Sequence, residues 1–210
     1  IKTEKVYVLY NGVDRKIKKF PKKKKEILFV GRLVSEKGAD LYVQAVRSIA
    51  STFPNWKFGL IGSFRLGEHN NTNSYAHGVI KSFQEIGSQA IFYGFKNHQF
   101  VEEKMKTASI IVIPSIWEEP FGLVAAEAMS NGISIIASKV GGMPEIIGDN
   151  GILIENINYK KLRKNLIELL KNNSLREIYQ QKAWKNFKLS SALSSKKLDD
   201  YRRIIFQNYY

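Results

Sequence analysis

Short apolar runs alternate with longer amphipathic stretches along most of the chain. The apolar runs are rich in Ile, Val and Phe, which is typical of buried strands, and they occupy 6–10, 27–30, 56–61, 90–93, 110–113, 133–137 and 152–154. Stretches with one apolar stripe at helical spacing lie at 40–52, 75–86, 98–108, 122–130 and 159–171. This alternation predicts an α/β fold, a doubly wound and mostly parallel sheet with helices on both faces.

The pattern changes after Asn172. Residues 174–187 and 192–206 have helical spacing, and no strand is predicted between them. We therefore expect the sheet domain to be followed by extra C-terminal helices.

Composition sets the scale of the fold. The chain has 210 residues and is 44% hydrophobic, which is enough for the core of one domain, although its length also permits two small ones. No apolar run approaches the roughly 20 residues that span a bilayer. The chain contains no cysteine, which fits a reducing cytoplasm. It begins with Ile1 and not Met, so we expect a piece of a longer protein.

The net charge of +14 predicts affinity for anions, which include nucleotides, nucleic acids and acidic membrane surfaces. Part of the excess lies in the lysine run at 22–25, which we interpret as a solvated linker because like charges repel. A basic nucleic-acid-binding domain is thus one alternative. It would need exposed aromatic residues interleaved with lysines, and the sequence has no such motif.

Two carboxylates flank a predicted helix start. The apolar run 110–113 is followed by a loop that contains Glu119, and Pro120 suits the first turn of the next helix. Within that helix, Leu123 and Glu127 are four positions apart and share a face. Glu119 and Glu127 are therefore expected at one crevice.

Backbone N–H donors are expected at the same crevice, because the first N–H groups of a helix have no acceptor within the helix. The predicted helix start assigns these groups to Phe121, Gly122 and Leu123. Such donors can bind oxygen atoms of a ligand.

Cations follow another predicted strand. The run 27–30 ends at Gly31 and Arg32, and Lys37 comes five residues after Arg32. Ligands of open α/β sheets bind outside the carboxyl ends of the strands, so these residues are candidates for an anion site. The alternative is a surface salt bridge between Lys37 and Glu36 or Asp40.

Three motifs in this order resemble the donor-binding half of family-4 glycosyltransferases, which are retaining enzymes of the GT-B fold. The motifs are 31–38, the pair Glu119 and Glu127 with seven residues between them, and 141–145. The resemblance covers about 27–155. It implies a Rossmann-like C-terminal half of a GT-B enzyme. Residues 1–25 would then be an interdomain connection, 26–172 the donor-binding domain, and 173–210 helices that pack on this domain or cross to an N-terminal one.

The resemblance also implies roles for the residues. Arg32 and Lys37 would bind the donor diphosphate, with Gly31 allowing close backbone approach. Glu119 would accept hydrogen bonds from the donor sugar, and Glu127 from the ribose.

Further donor contacts are implied nearby. Phe121, Gly122 and Leu123 would supply the amides. The base would lie at 94–96 near Phe95, although Phe95 could equally belong to the core. The loop 62–73 is longer than the family's turn, and its Arg65 would contact either the nucleotide or solvent.

The implied reaction transfers a hexose from a UDP-sugar or GDP-sugar to a polysaccharide or lipid-linked acceptor. No cofactor, metal or nucleic acid is expected: the chain lacks an Asp-x-Asp pair, and His69, His77 and His98 show no ligand spacing. The implied enzyme is cytoplasmic, with peripheral membrane contact as a further expectation. The fragment alone should bind donor and transfer little. A GT-B sugar-nucleotide epimerase is the alternative.

Overall fold

This computed structural model describes residues 6–63 and 74–209. Their strands are Lys24–Val30 (β1), Lys57–Ile61 (β2), Ala90–Gly94 (β3), Ala108–Ile113 (β4), Ser134–Ser138 (β5) and Ile152–Ile154 (β6). Their α-helices are Ala39–Arg47 (α1), Ser74–Gln84 (α2), His98–Thr107 (α3), Leu123–Ser130 (α4), Met143–Ile147 (α5), Tyr159–Lys171 (α6), Asn173–Asn186 (α7) and Ser191–Tyr209 (α8). Every strand pair is parallel, and the strand order is β3-β2-β1-β4-β5-β6. The α/β fold with a doubly wound parallel sheet is confirmed.

Successive residues of the central strands face opposite layers, as the two-residue period of a strand requires. In β4, Ile110 packs into one core cluster with α1, α2 and α6, whereas Ile111 packs into another with α3, α4 and α5. All six residues of β4 are buried. An apolar run without polar alternation is therefore the expected sequence for this strand, since both of its faces are covered.

Small side chains bring α4 close to the sheet. Ala125, Ala126 and Ala128 are fully buried in the second cluster. The helix ends at Ser130 with Asn131 as its C-cap, and Gly132 follows with φ of 63°. This confirms the left-handed helix stop that Asn131 and Gly132 predict.

The strand predicted at 6–10 is wrong. These residues have no regular secondary structure, and Val6, Tyr7, Val8 and Leu9 are exposed. They lie along α8 instead, where the rings of Tyr7 and Tyr201 are 4.8 Å apart and the Tyr201 hydroxyl donates to the carbonyl of Val8 at 3.2 Å. The sequence pattern detected the apolar run, but the run is not paired with a sheet edge.

The segment before β1 is packed against the domain. The guanidinium of Arg15 lies 3.7 Å from the centre of the Trp184 ring, and the ring of Phe20 meets the same tryptophan edge-on at 5.7 Å. Nζ of Lys23 donates to the carbonyls of Asn131 and Lys106 at 2.7 and 3.1 Å. The lysine run is therefore not a linker, because β1 begins at Lys24 and Lys23 is mostly buried, although Lys22, Lys24 and Lys25 are exposed.

Hydrogen bonds join the start of α8 to Val13 and Asp14. The carboxylate of Asp14 accepts a hydrogen bond from the Ser191 N–H at 2.9 Å, and the Val13 N–H donates to the carbonyl of Leu189 at 2.6 Å. Within 6–63 and 74–209, no helix is long and apolar enough to cross a membrane. The two hydrogen bonds place the start of α8 against the segment that precedes the sheet.

Candidate functional site

A cavity with a volume of about 370 Å³ lies where β1 and β4 end. These neighbouring strands are the point at which the strand order reverses. A crevice forms there because the connections on the two sides leave in opposite directions. This first cavity collects six of the predicted site residues, which are Gly31, Lys37, Glu119, Phe121, Gly122 and Leu123.

One carboxylate and one ammonium group meet in the first cavity. Nζ of Lys37 donates to Oε1 of Glu119, and both side chains are mostly buried. The Ser115 hydroxyl lies 2.7 Å from the same carboxylate oxygen. The predicted alternative, in which Lys37 pairs with Glu36 or Asp40, is wrong, because its ion-pair partner is Glu119.

A glycine holds the two loops of this site together. Lys37 ends a short 3₁₀ turn, and Gly38 follows with φ of 65°. A Cβ atom at Gly38 would lie 2.1 Å from the carbonyl oxygen of Pro114, so no other residue fits there. The glycine of the 31–38 motif therefore brings Lys37 next to the loop that carries Glu119.

The 141–145 motif supports the same loop from behind. The N–H of Gly142 donates to the carbonyl of Glu119 at 2.7 Å, and the N–H of Gly141 donates to the carboxylate of Glu118. A Cβ at Gly141, whose φ is 51°, would lie 2.2 Å from the carbonyl oxygen of Glu119. The motif thus fixes the backbone of Glu119.

The start of α4 predicted at 122 is wrong by one residue, and the placement of Pro120 in the first turn is also wrong. The helix begins at Leu123, and Gly122 with φ of 95° is its N-cap, so Pro120 lies in the loop and not in the first turn. The carbonyl of Gly122 accepts from the N–H groups of Ala125 and Ala126. The N–H groups of Gly122, Leu123 and Val124 therefore have no acceptor within the helix, and Phe121 lies just before the N-cap.

A second cavity of about 250 Å³ adjoins the first, and Leu123 lines both. Its walls include Glu127, with His98 at the start of α3 beside it. An ion pair between Lys16 and Glu102 with an N···O distance of 2.8 Å contributes further polar lining. The two carboxylates of the pair motif thus serve neighbouring cavities.

Burial is the main influence on Glu127. It raises the pKa of this carboxyl, and the charge of nearby Glu102 raises the pKa further, whereas His98 and Lys16 act to lower it. A carboxylate in such a pocket gains from hydrogen-bond donors that a ligand supplies.

Arg32 and Phe95 lie outside both cavities. Arg32 is exposed. Hydrogen bonds from the backbone and from the Ser35 hydroxyl lower the pKa of the neighbouring Glu36 carboxyl, as do the charges of Arg32 and Lys37. Phe95 is 52% exposed at the end of β3, so its alternative assignment to the core is wrong.

Other predicted polar residues are not gathered at this site. No group of three or more His, Cys, Asp or Glu side chains in the described ranges could hold a metal ion. His77 is exposed on α2, whereas His98 is exposed but borders the second cavity. Arg65 and His69 lie outside the described residues.

Sequence reasoning missed Ser115 and His98 as site residues. Ser115 is buried, and its hydroxyl also lies 3.0 Å from the carbonyl oxygen of Glu36. Its position two residues after the buried strand β4 is a signal that could have found it. His98 follows Asn97, the side-chain cap of α3, but only the packing of α3 beside α4 brings it near Glu127.

Comparison with known proteins identifies the family. The family model for glycosyl transferases group 1 matches residues 12–186, which is most of the chain. This chain belongs to the group 1 glycosyltransferase family. An uncharacterized glycosyltransferase of Methanocaldococcus jannaschii is 30% identical over 210 residues, which cover 87% of this chain and 52% of the relative. The chain thus spans about half the length of the curated relatives it matches.

Solved structures agree with this family. The C-terminal domain of a group 1 glycosyl transferase from Francisella tularensis is 25% identical and has a TM-score of 0.65. The match covers 85% of this chain and 93% of that domain. Anabaena HepE in complex with UDP is 20% identical, with a TM-score of 0.73 over 85% of this chain and 48% of HepE. The fold is therefore the Rossmann-like C-terminal domain of GT-B glycosyltransferases.

Proposed function

We propose that this chain is the donor-binding half of a retaining glycosyltransferase, which transfers a hexose from a UDP-sugar or GDP-sugar to a polysaccharide or lipid-linked acceptor. The observation that carries the proposal is the meeting of Lys37 and Glu119 in a cavity at the switch point of the sheet. HepE, a structural neighbour, was crystallised with UDP, which supports a nucleotide as the ligand class.

The first cavity suits the diphosphate and the sugar. The ammonium of Lys37 and the free N–H groups at the start of α4 would neutralise the diphosphate, because fixed cations and amides stabilise the charge that develops on a leaving group. Exposed Arg32 would join them from the loop after β1. The proposal assigns this neutralisation to the protein and not to a metal ion.

The second cavity suits the ribose. Its titratable side chains are Asp14, Lys16, His98, Glu102 and Glu127, so carboxylates outnumber lysines. Such a lining disfavours phosphate but accepts hydrogen bonds from neutral hydroxyl groups. We assign the ribose hydroxyls to Glu127 and the donor-sugar hydroxyls to Glu119.

The proposed reaction retains the anomeric configuration, with the acceptor hydroxyl attacking on the face from which the diphosphate departs. We assign no general base to this chain and expect the fragment to bind donor and transfer little. The named glycosyltransferase relatives give no support to the epimerase or nucleic-acid alternatives.

A membrane contact is a separate part of the proposal. Lys18, Lys19, Lys22, Lys24 and Lys25, here called the lysine strip, are exposed, and the described part of the chain supplies no ion-pair partner for any of them. The strip is held in place by Arg15, Phe20 and Lys23. We propose that it contacts acidic phospholipids at the cytoplasmic face of a membrane.

Isothermal titration tests the nucleotide site. UDP or GDP should bind saturably, and Lys37→Ala should weaken binding by at least roughly 10-fold, because a charge-assisted contact is lost. Lys57→Ala is the matched control, since Lys57 is exposed at the amino end of β2, away from both cavities. If both nucleotides fail to bind, or if Lys37→Ala and Lys57→Ala bind alike, the proposal is wrong.

A further inference from the structure

The Lys37 ammonium is already engaged by a carboxylate of this chain. Nζ of Lys37 donates to Glu119, and Glu119 is the residue assigned to the donor sugar. Any diphosphate that takes this ammonium therefore competes with Glu119 for it. Because both side chains are mostly buried, water cannot simply replace the lost partner, and the displaced carboxylate needs another donor.

Ser115 is placed to be that donor. Its hydroxyl lies 2.7 Å from Oε1 of Glu119 and 3.0 Å from the carbonyl oxygen of Glu36. A hydroxyl carries one proton, so it can donate to only one of these acceptors at a time. The Glu36 carbonyl also accepts the N–H groups of Ile116 and Trp117, at 2.9 and 3.3 Å. That carbonyl keeps its partners when the Ser115 proton turns to Glu119.

We propose that Glu119 competes with the donor diphosphate for Lys37, and that Ser115 is the positioning residue that holds the Glu119 carboxylate once the diphosphate has taken the ammonium. This inference rests on the proposed function. It adds a coupling between the two parts of the donor, because the diphosphate releases the carboxylate that receives the sugar hydroxyls.

The inference makes an unusual prediction for ligands that lack the sugar. Glu119→Gln should bind inorganic pyrophosphate, UDP or GDP more tightly than the unaltered chain, by roughly five-fold at low salt, because Lys37 loses its charged competitor. Glu118→Gln is the matched control. It removes the same charge one residue away, and its carboxylate contacts the Gly141 N–H and not Lys37.

The outcomes of this titration are distinct. Tighter binding by Glu119→Gln than by Glu118→Gln supports the competition. Equal binding by the two variants, with binding lost in Lys37→Ala, overturns the inference and leaves the proposed function in place. If pyrophosphate, UDP and GDP all fail to bind the unaltered chain, both proposals fall.

Ser115 is tested by a double-mutant cycle. Ser115→Ala should weaken binding of the same three ligands several-fold in the unaltered chain, because the displaced Glu119 carboxylate has lost its alternative donor. In the Glu119→Gln background the same change should have little effect. If Ser115 only anchors its loop to the Glu36 carbonyl, both backgrounds will weaken equally, and the positioning role is refuted.

Discussion

Nδ1 of His98 lies 3.6 Å from Oε1 of Glu127, across the junction between the first turn of α3 and the middle of α4. The histidine is mostly exposed and the carboxylate is mostly buried. His98 is thus one of three titratable neighbours of Glu127 among the described residues, with Glu102 and Lys16. The Glu127 carboxylate lines the second cavity, where a ligand can use it.

Glu127→Gln is expected to stabilise the protein at neutral pH. Burial raises the pKa of Glu127 above its usual 4.5, so the folded state binds more protons than the unfolded state as the pH falls toward that value. Stability from this group is fully present below the unfolded pKa and is lost as the pH rises through the folded one. Urea denaturation at pH 7.5 and pH 4 should show an advantage for the variant that disappears in acid. Glu168→Gln, on the exposed face of α6, is the control, and an advantage that persists unchanged at pH 4 would contradict this account.

The same residue should discriminate ribose from deoxyribose. Glu127→Ala should weaken UDP or GDP by roughly 10-fold, since charged hydrogen bonds contribute about 1.5–3 kcal/mol. The 2′-deoxynucleotides should lose less, because they lack one donor to this carboxylate. Titration of both nucleotide types measures the difference, and equal losses would remove Glu127 from the ribose.

Substitution of Gly122, at the start of α4, can be compared with substitution of a control glycine in α2. Gly122 has φ of 95°, and a Cβ there would lie 2.9 Å from Sδ of Met143. Gly122→Ala should therefore destabilise the fold by about 1–3 kcal/mol and weaken nucleotide binding. Gly78 in α2 has open space around it, so Gly78→Ala should stabilise by about 0.5–1 kcal/mol. The urea midpoints of the two variants, at an unchanged slope of the transition, measure the difference in stability. If Gly122→Ala does not change the midpoint, α4 tolerates another backbone conformation at its start.

The lysine strip should bind anionic vesicles. Each lysine near such a surface contributes about 1 kcal/mol, so changing Lys18, Lys19 and Lys22 together to Gln should weaken cosedimentation with phosphatidylglycerol vesicles by roughly 100-fold. The control changes three exposed lysines elsewhere, which are Lys81, Lys160 and Lys164. Equal loss in both triple variants would mean that net charge alone acts. Binding to single-stranded RNA but not to vesicles would refute the membrane contact.

The sequence predicted the strands of the sheet to within a few residues, because buried parallel strands read as unbroken apolar runs. It failed at 6–10, where a similar run lies on the surface along α8. Local patterns show that a segment is apolar. They do not show which neighbour will cover it, since that depends on contacts far apart in the chain.

The candidate site was predicted unevenly for a related reason. Lys37 and Glu119 follow strands at the carboxyl edge, and their meeting could be anticipated from topology. The short helix Met143–Ile147 was not predicted. The first residue of α4 was misplaced because Gly122 adopts a left-handed conformation, which helix propensity does not reveal. Ser115 and His98 needed the actual packing of loops and helices.

The hydrogen bonds of Val13 with Leu189 and of Asp14 with Ser191 make the two ends of the domain depend on each other. Gly12, Val13 and Asp14 form part of the wall around Glu127. A protease cut or a stop codon near Lys188 would therefore separate Val13 and Asp14 from their hydrogen-bond partners, which are distant from them in sequence. Shortening the tail of this protein would loosen the rim of its ligand pocket.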